Sequence, residues 1–248
     1  MSKITPNYDN YTDIHIHILP GVDDGSKNLD MSLEMLRHAY AEGIRRMVVT
    51  PHNKPMHHNV GKEKMQELIH LLRAQMKQEK IEIELYPGNE LYYREDLVKC
   101  LEEGKASTMA DSRYVLLEFQ PADRWEYIRD GVNDMLMAGY RPILAHIERY
   151  QEVCKDVERV IRLREMGCCI QVNAASVMGR YGMGIKGYVK KLLKQRLVDF
   201  IATDAHNATN RTPDMAKCAE YICKKYGAEY MHSLLTENPS KVIRDEYI

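Results

Sequence analysis

The sequence lacks the long apolar segments of a membrane protein. No run approaches the roughly 18 or more residues of a membrane span, and the start, MSKITPNYDNY, has no apolar region of a secretory signal. The sequence also lacks a large net charge, because 35 Lys and Arg residues nearly balance 36 Asp and Glu residues and leave a net charge of -1. We therefore expect a cytoplasmic protein with no membrane insertion and no nucleic-acid partner, in which a local site selects the partners.

Cysteine patterns for disulfides or redox chemistry are missing as well. The six cysteines form no C-x-x-C pair, and a chain of 248 residues buries enough apolar surface to need no covalent staples. We expect them to be reduced and to pack as small hydrophobic residues. No low-complexity linker or change of composition marks a boundary, which predicts one domain over residues 1–248. Nothing in the sequence indicates the oligomeric state.

Two kinds of segment alternate along the whole chain. Short β-branched runs predict seven strands, at Tyr11–Ile18, Arg46–Thr50, Ile81–Tyr86, Tyr114–Phe119, Pro142–His146, Cys168–Asn173 and Val198–Thr203. Amphipathic patterns predict helices at Leu29–Glu42, Lys62–Glu79, Asp123–Ala138, Val153–Met166, Gly187–Gln195 and Asp214–Tyr226. The alternation is typical of βα units with right-handed crossovers, so we expect an α/β fold with a parallel barrel of the TIM type. A doubly wound open sheet is the alternative.

Ionisable side chains follow the predicted strands. Both architectures bind ligands at the carboxyl ends of their strands. Only the run that ends at Asn173 has no ionisable group there, and the other six runs contribute His15, His17, His52, Glu90, Glu118, His146, Asp204 and His206. Each of them, buried alone and unpaired, would cost several kcal/mol. A shared cation removes that cost, and imidazole and carboxylate are common metal ligands.

The first strand carries the densest part of this pattern. Alternation places Asp13, His15 and His17 on one face, with neighbours about 6.5–7 Å apart. Two imidazoles at that spacing can lean onto one ion with bonds of about 2.1 Å. Asp13 is predicted to accept a hydrogen bond that fixes the tautomer of a neighbouring histidine. Asp204 and His206 repeat the spacing near the end of the chain, and a closed barrel would bring them beside the first strand.

Seven motifs occur in order over nearly the whole chain: DIHIHILPGVDDG, TPH, PGNE, LLEF, AHIERY, QVNAAS and ATDAHN. They resemble the PHP (polymerase and histidinol phosphatase) superfamily. More narrowly, they are similar to the bacterial PHP-type protein-tyrosine phosphatases encoded with capsule and exopolysaccharide export systems. Amidohydrolases also use H-x-H. ILPGVDDG and HIERY favour the tyrosine-phosphatase branch over a histidinol-phosphate phosphatase or a polymerase accessory domain. The resemblance implies a distorted, TIM-like (βα)7 barrel.

The resemblance also implies three divalent metal ions. Manganese is the expected metal, and the ligand types leave iron and zinc open. The implied ligands are His15, His17, Glu90 and Asp204 for the first ion, Glu90 as a bridge with Glu118 and His146 for the second, and Asp24, His52 and His206 for the third. Of the two adjacent acids in GVDDG, Asp24 is the predicted ligand and Asp23 a loop residue.

The activity implied is hydrolysis of phosphotyrosine in protein, with the tyrosine-rich tail of a bacterial tyrosine kinase as the expected partner. Arg149 and Arg211 match arginines that the family uses for the substrate phosphate, and a guanidinium fork suits phosphate oxygens. No cysteine has arginine at the C-x5-R spacing, which argues against a thiolate mechanism.

Three other interpretations have support in the sequence. One is a small-molecule phosphoesterase, such as a histidinol-phosphate phosphatase, or a nuclease. Another is a protein that binds phosphotyrosine without turnover. The third is nucleotide binding, because GMGIKG at Gly182–Gly187 satisfies G-x-G-x-x-G. That segment does not open directly from a strand, so we set nucleotide binding aside.

Overall fold

Parallel strand pairing organises residues 9–248, the part of the chain that this computed structural model describes. The first eight residues of the predicted domain lie outside it. The strands β1 to β9 are Tyr11–Ile16, Ile44–Val49, His52–Asn53, Glu84–Pro87, Glu90–Tyr92, Tyr114–Glu118, Arg141–Leu144, Cys169–Asn173 and Phe200–Ala202. They form a three-stranded sheet in the order β1-β2-β4 and a six-stranded sheet in the order β3-β5-β6-β7-β8-β9. The predicted α/β class is confirmed.

Two chain segments pass from one sheet to the other and curl the sheet. β2 continues into β3 across Thr50 and Pro51, and β4 continues into β5 across Gly88 and Asn89, while β2 pairs with β4 and β3 with β5. A Cβ atom on Gly88 would lie 2.8 Å from the Val48 side chain, so glycine is required at this crossing. The predicted seven runs did not include β3 and β5, which are short and lie beyond these breaks.

Each of the six predicted helices is present with bounds that differ by up to four residues, whereas the short helices Leu97–Glu102, Ala174–Met178, Ala228–His232 and Asn238–Ile243 were not predicted. Helices α1 to α11 are Leu29–Ala41, Lys62–Glu79, Leu97–Glu102, Trp125–Met137, Gln151–Lys155, Val157–Met166, Ala174–Met178, Met183–Lys194, Ala216–Tyr226, Ala228–His232 and Asn238–Ile243. The Asn28 side chain accepts a hydrogen bond from Met31 N at 3.0 Å and begins α1. The helix predicted at Val153–Met166 divides at Asp156, whose carboxylate caps α6. Gly184 and Gly187 of GMGIKG lie inside α8.

The ends of the chain meet along one seam. β1 and the segment after β9 form a parallel bridge between Ile16 and Ala205. His17 N donates to Ala205 O at 2.9 Å, and Asp204 N donates to His15 O at 2.8 Å. The expected approach of the last predicted strand to the first is therefore confirmed.

Burial agrees with the expectations from composition. All six cysteines are free, and Cys100, Cys168 and Cys218 are buried, as predicted for packing residues. None of the helices in residues 9–248 has the length and apolarity that crossing a membrane requires.

Candidate metal centre

The carboxyl ends of the strands bring all nine predicted metal ligands together. Overlapping groups of them have their ligand atoms within 4.8 Å of one another: His17, Asp24, His52 and His206; His15, Glu90 and His146; His15, His17 and Asp204; and His52, Glu90 and Glu118. Most of these side chains are buried, whereas Asp24 in the loop before α1 is 65% exposed. The cluster is therefore built at the bottom of an opening to solvent.

Glu90, the first residue of β5, lies at the centre of the cluster. Its Oε1 is 2.8 Å from His146 Nε2 and 3.3 Å from His15 Nε2. Its Oε2 is 2.8 Å from His52 Nδ1 and 3.2 Å from His17 Nε2. One carboxylate thus reaches four imidazoles, which is the position that a bridging ligand requires.

The grouping differs from the predicted one at His52. Its Nε2 lies 3.2 Å from Asp24 Oδ1, as expected for a shared group with His206. Its Nδ1 faces Glu90 and lies 3.5 Å from Glu118 Oε2. The imidazole of His52 therefore lies between two of the predicted groups, whereas the family resemblance implies that it belongs to one.

Hydrogen bonds to the far ring nitrogens fix the orientation of the first two histidines. Gln171 Oε1 lies 3.1 Å from His15 Nδ1, and Asp23 Oδ2 lies 2.8 Å from His17 Nδ1. Donation from each Nδ1–H leaves both Nε2 lone pairs free, and these two atoms are 3.3 Å apart. Asp23, expected to be only a loop residue, thus orients a predicted ligand.

The role predicted for Asp13 is wrong. Its carboxylate accepts hydrogen bonds from the backbone of His15 and from the backbone and hydroxyl of Thr203, with no histidine ring among these partners. The pairing of β1 with β2 shifts register between Asp13 and Ile16. That irregularity interrupts the alternation on which the prediction depended.

β8, the strand with no ionisable group at its carboxyl end, contributes two buried amides. Besides His15, Gln171 Oε1 accepts from His146 N at 2.9 Å, and Gln171 Nε2 donates to Asn173 Oδ1 at 2.8 Å. Asn173 Nδ2 in turn donates to Asp204 Oδ2 at 2.8 Å. This chain of hydrogen bonds links ligands from both ends of the sequence, and a search restricted to ionisable residues misses it.

Both predicted phosphate-binding arginines lie at the edge of the cluster. Arg149 Nη2 donates to Asp204 Oδ2 and Arg211 Nη2 donates to Asp204 Oδ1, each at 2.8 Å. Each arginine side chain is 31% exposed, whereas Asp204 is 2% exposed. The two guanidinium groups therefore reach from the buried carboxylate towards solvent.

Comparison with known proteins agrees with this geometry. A family model described as capsular polysaccharide synthesis, CpsB/CapC, matches residues 11–244. The chain belongs to the CpsB/CapC family. It is 36% identical over 241 residues to tyrosine-protein phosphatase CpsB of Streptococcus pneumoniae, covering 95% of this chain and 99% of that protein. It is 31% identical to tyrosine-protein phosphatase YwqE of Bacillus subtilis, covering 95% and 92%.

A solved structure gives the same result for the fold of this CpsB/CapC chain. It comes from the crystal structures of YwqE from Bacillus subtilis and CpsB from Streptococcus pneumoniae, described as unique metal-dependent tyrosine phosphatases. The TM-score is 0.89 at 30% identity, with 96% of each chain covered. The resemblance to PHP-type phosphatases is confirmed.

The chemistry of the donor set fits divalent cations in this CpsB/CapC chain. Glu90 Oε2, Glu118 Oε2 and His52 Nδ1 are buried and have close polar neighbours, but none of their contacts among the described residues has the geometry of a hydrogen bond. Burial lowers the pKa of the His17 imidazole, but the hydrogen bond to Asp23 and the negative charges of Asp23 and Glu90 outweigh it and raise that pKa to about 10. The field that favours a proton on this ring also favours a metal ion. Burial and the charge of Glu90 raise the pKa of Glu118.

Cavity size alone does not mark this site. A cavity of 840 Å³ beside Arg73, Leu85 and Tyr86 contains none of the clustered ligands. A smaller cavity of 420 Å³ is lined by Asp24 and His52 and so opens directly onto them. Chemistry, rather than volume, makes the second cavity the candidate functional one.

Proposed function

We propose that this chain is a metal-dependent protein-tyrosine phosphatase. The observation that carries the proposal is the convergence of nine imidazole and carboxylate ligands with two arginines beside them. The names and the metal dependence of the similar proteins support it. We also propose that β2 and β3 form one interrupted strand and that β4 and β5 form another. The nine strands would then occupy the seven positions of a distorted (βα)7 barrel.

We propose the three ion positions that the family resemblance implies. His15, His17, Glu90 and Asp204 would hold the first ion, Glu90, Glu118 and His146 the second, and Asp24, His52 and His206 the third. Divalent ions there would lower the pKa of water towards about 7 and neutralise phosphoryl oxygens. Mixed imidazole and carboxylate ligands suit manganese, iron and zinc, and we propose manganese.

The protein's own side chains would then position the substrate. Arg149 and Arg211 each have further guanidinium donors beyond the one bonded to Asp204, so they can bind phosphoryl oxygens at the opening. Asp204 keeps both arginines in place before the substrate binds. This arrangement reduces the entropy lost on binding, because the donors are already oriented.

A phenolic leaving group makes a small demand on a general acid. Tyrosine has a pKa near 10, so its oxygen needs less protonation on departure than an alkyl oxygen does. We propose a phosphotyrosine protein as the substrate, and specifically the tail of a bacterial tyrosine kinase that regulates capsule synthesis. The cytoplasmic location stays a prediction from the sequence.

A phosphate-release assay tests the function. Chelated protein is restored with Mn²⁺, Fe²⁺ or Zn²⁺ and given a phosphotyrosine peptide, the matching phosphoserine peptide, and histidinol phosphate. We expect metal-dependent release that is fastest from the phosphotyrosine peptide. Faster release from histidinol phosphate would favour the small-molecule alternative, tight peptide binding without release would favour a binding protein, and activity that survives full chelation would overturn the proposal.

A further inference from the structure

A lysine touches the ligand cluster at two residues that the two arginines do not contact. Lys54 Nζ lies 3.3 Å from Glu118 Oε2 and 3.1 Å from His52 Nε2, and its side chain is 28% exposed. Lys54 contacts His52, His52 contacts Glu90, and Glu90 contacts His15. His15 in turn contacts Asp204, whose carboxylate accepts hydrogen bonds from both arginines. Lys54 and the arginines therefore lie at opposite ends of this chain of contacts.

The backbone of Lys54 is fixed from both sides by one side chain. Asn59 Oδ1 accepts from Lys54 N, and Asn59 Nδ2 donates to Lys54 O, each at 2.8 Å. These two bonds close the loop that follows β3. The flexible four-carbon stem of the lysine therefore starts from a defined point just beyond His52.

The Lys54 ammonium group, considered without a substrate, is unfavourable for metal binding at this place. It repels the cations that Glu118 and His52 would hold, and a protonated amine cannot ligate a metal. Lys54 also lines the 420 Å³ cavity together with Asp24, Asn59 and Val22, and this volume is within the range of small-ligand sites. A ligand with two negative charges in that cavity would offset the repulsion.

We propose that Lys54 is a third cationic contact of the substrate phosphoryl group, in addition to Arg149 and Arg211. The proposal rests on the phosphatase function above. When the substrate binds, the Lys54 ammonium group leaves the Glu118 carboxylate and donates to a phosphoryl oxygen. The new contact is a charge-assisted hydrogen bond, which is stronger than a neutral one. A lysine suits this exchange because its stem is flexible and its charge is a compact point.

Equilibrium binding to the metal-loaded protein tests the proposal without turnover. The probes are a peptide with a non-hydrolysable phosphonate analogue of phosphotyrosine and inorganic phosphate, both measured by calorimetry, with metal content determined for each sample. Lys54→Met is compared with Lys54→Arg, which keeps the charge. The matched control is Lys241→Met, because Lys241 is also 28% exposed and lies 3.4 Å from a carboxylate, that of Glu237 on the same terminal helical segment.

We expect Lys54→Met to weaken binding of both probes about tenfold or more at unchanged metal content, with Lys54→Arg losing less and Lys241→Met losing nothing. Unchanged affinity of the fully loaded Lys54→Met protein would overturn the proposal. So would a changed metal content with unchanged probe affinity, because Lys54 would then only balance the charge of Glu118. Failure of the proposed function is separate: the wild-type protein would release no phosphate from phosphotyrosine, while inorganic phosphate binding would still report on Lys54.

Discussion

Gln171 provides a sharp test of how the metal centre is held in place. Its side chain is completely buried and its carbonyl oxygen accepts from two donors, His15 Nδ1 and His146 N. Gln171→Leu removes the acceptor for both and the donor to Asn173, with little change in volume. All nine predicted metal ligands remain in this variant. The prediction therefore tests whether the orientation of the ligands matters, and not only whether the ligands are present.

The contacts set the size of the expected effects. A buried donor or acceptor left without its partner costs about 1–3 kcal/mol, so the two donors and the Asn173 side-chain carbonyl together predict a loss of about 3–9 kcal/mol in the free energy of unfolding. Removal of a partner that orients a metal-binding histidine lowers metal affinity about 10-fold to 100-fold. Gln171→Glu keeps an acceptor for both donors, so we expect it to retain more of the metal affinity than Gln171→Leu does.

Two measurements check the prediction. Urea unfolding in the presence of a chelator reports the stability of the metal-free protein, and competition with a chelator of known affinity reports metal binding. Gln195→Leu is the matched control because Gln195 is exposed at the end of α8. Wild-type metal affinity in Gln171→Leu would refute the argument that the amide orients His15, and a stability loss below about 0.5 kcal/mol would refute the hydrogen-bond accounting.

Three further predictions concern the arginines and the GVDDG loop. Arg149→Ala and Arg211→Ala should each lower kcat/KM for a phosphotyrosine peptide by about 10-fold to 150-fold, the equivalent of one charged hydrogen bond, with metal content intact; unchanged kinetics would remove the assignment. Asp24→Ala should lose about one metal equivalent by elemental analysis, and a full complement would show that Asp24 is not a ligand. Gly25→Ala should lower both the melting temperature and the metal affinity. The added Cβ would lie 2.3 Å from the backbone oxygen of His17, and no side-chain rotamer relieves that contact. Wild-type stability and metal affinity in this variant would contradict the geometry.

The position of the candidate site was predictable from the sequence because strand ends are marked by local patterns. In a parallel α/β fold, carboxyl ends meet on one side, so apolar runs that end in His15, His52 or Glu118 indicate a common site. The motifs TPH and PGNE also contain the proline and the glycine at which the two strands break. The apolar pattern does not predict how far each strand continues after its break, because β3 has only two residues and β5 only three.

The supporting amides could not be found by counting charges. Gln171 and Asn173 are neutral and occupy alternate positions of a strand whose neighbours, Ile170 and Val172, are buried and apolar. Two polar residues at inward positions of a buried strand are themselves a signal, because unpaired amides are costly there. Their partners, however, come from other strands, and strand pairing across the whole chain decides which groups they meet.

Asp13 shows how the motif as a whole assembles the centre. The D-x-H-x-H pattern suggests that its acid serves the metal ions, yet the carboxylate of Asp13 binds Thr203 instead. Thr203 immediately precedes Asp204, so this contact fastens the last strand to the first at the point where each supplies ligands. The ligands that are most distant in sequence depend on that seam for their proximity. The acid of the motif therefore contributes to the site by closing the fold around it, which local spacing along one strand cannot reveal.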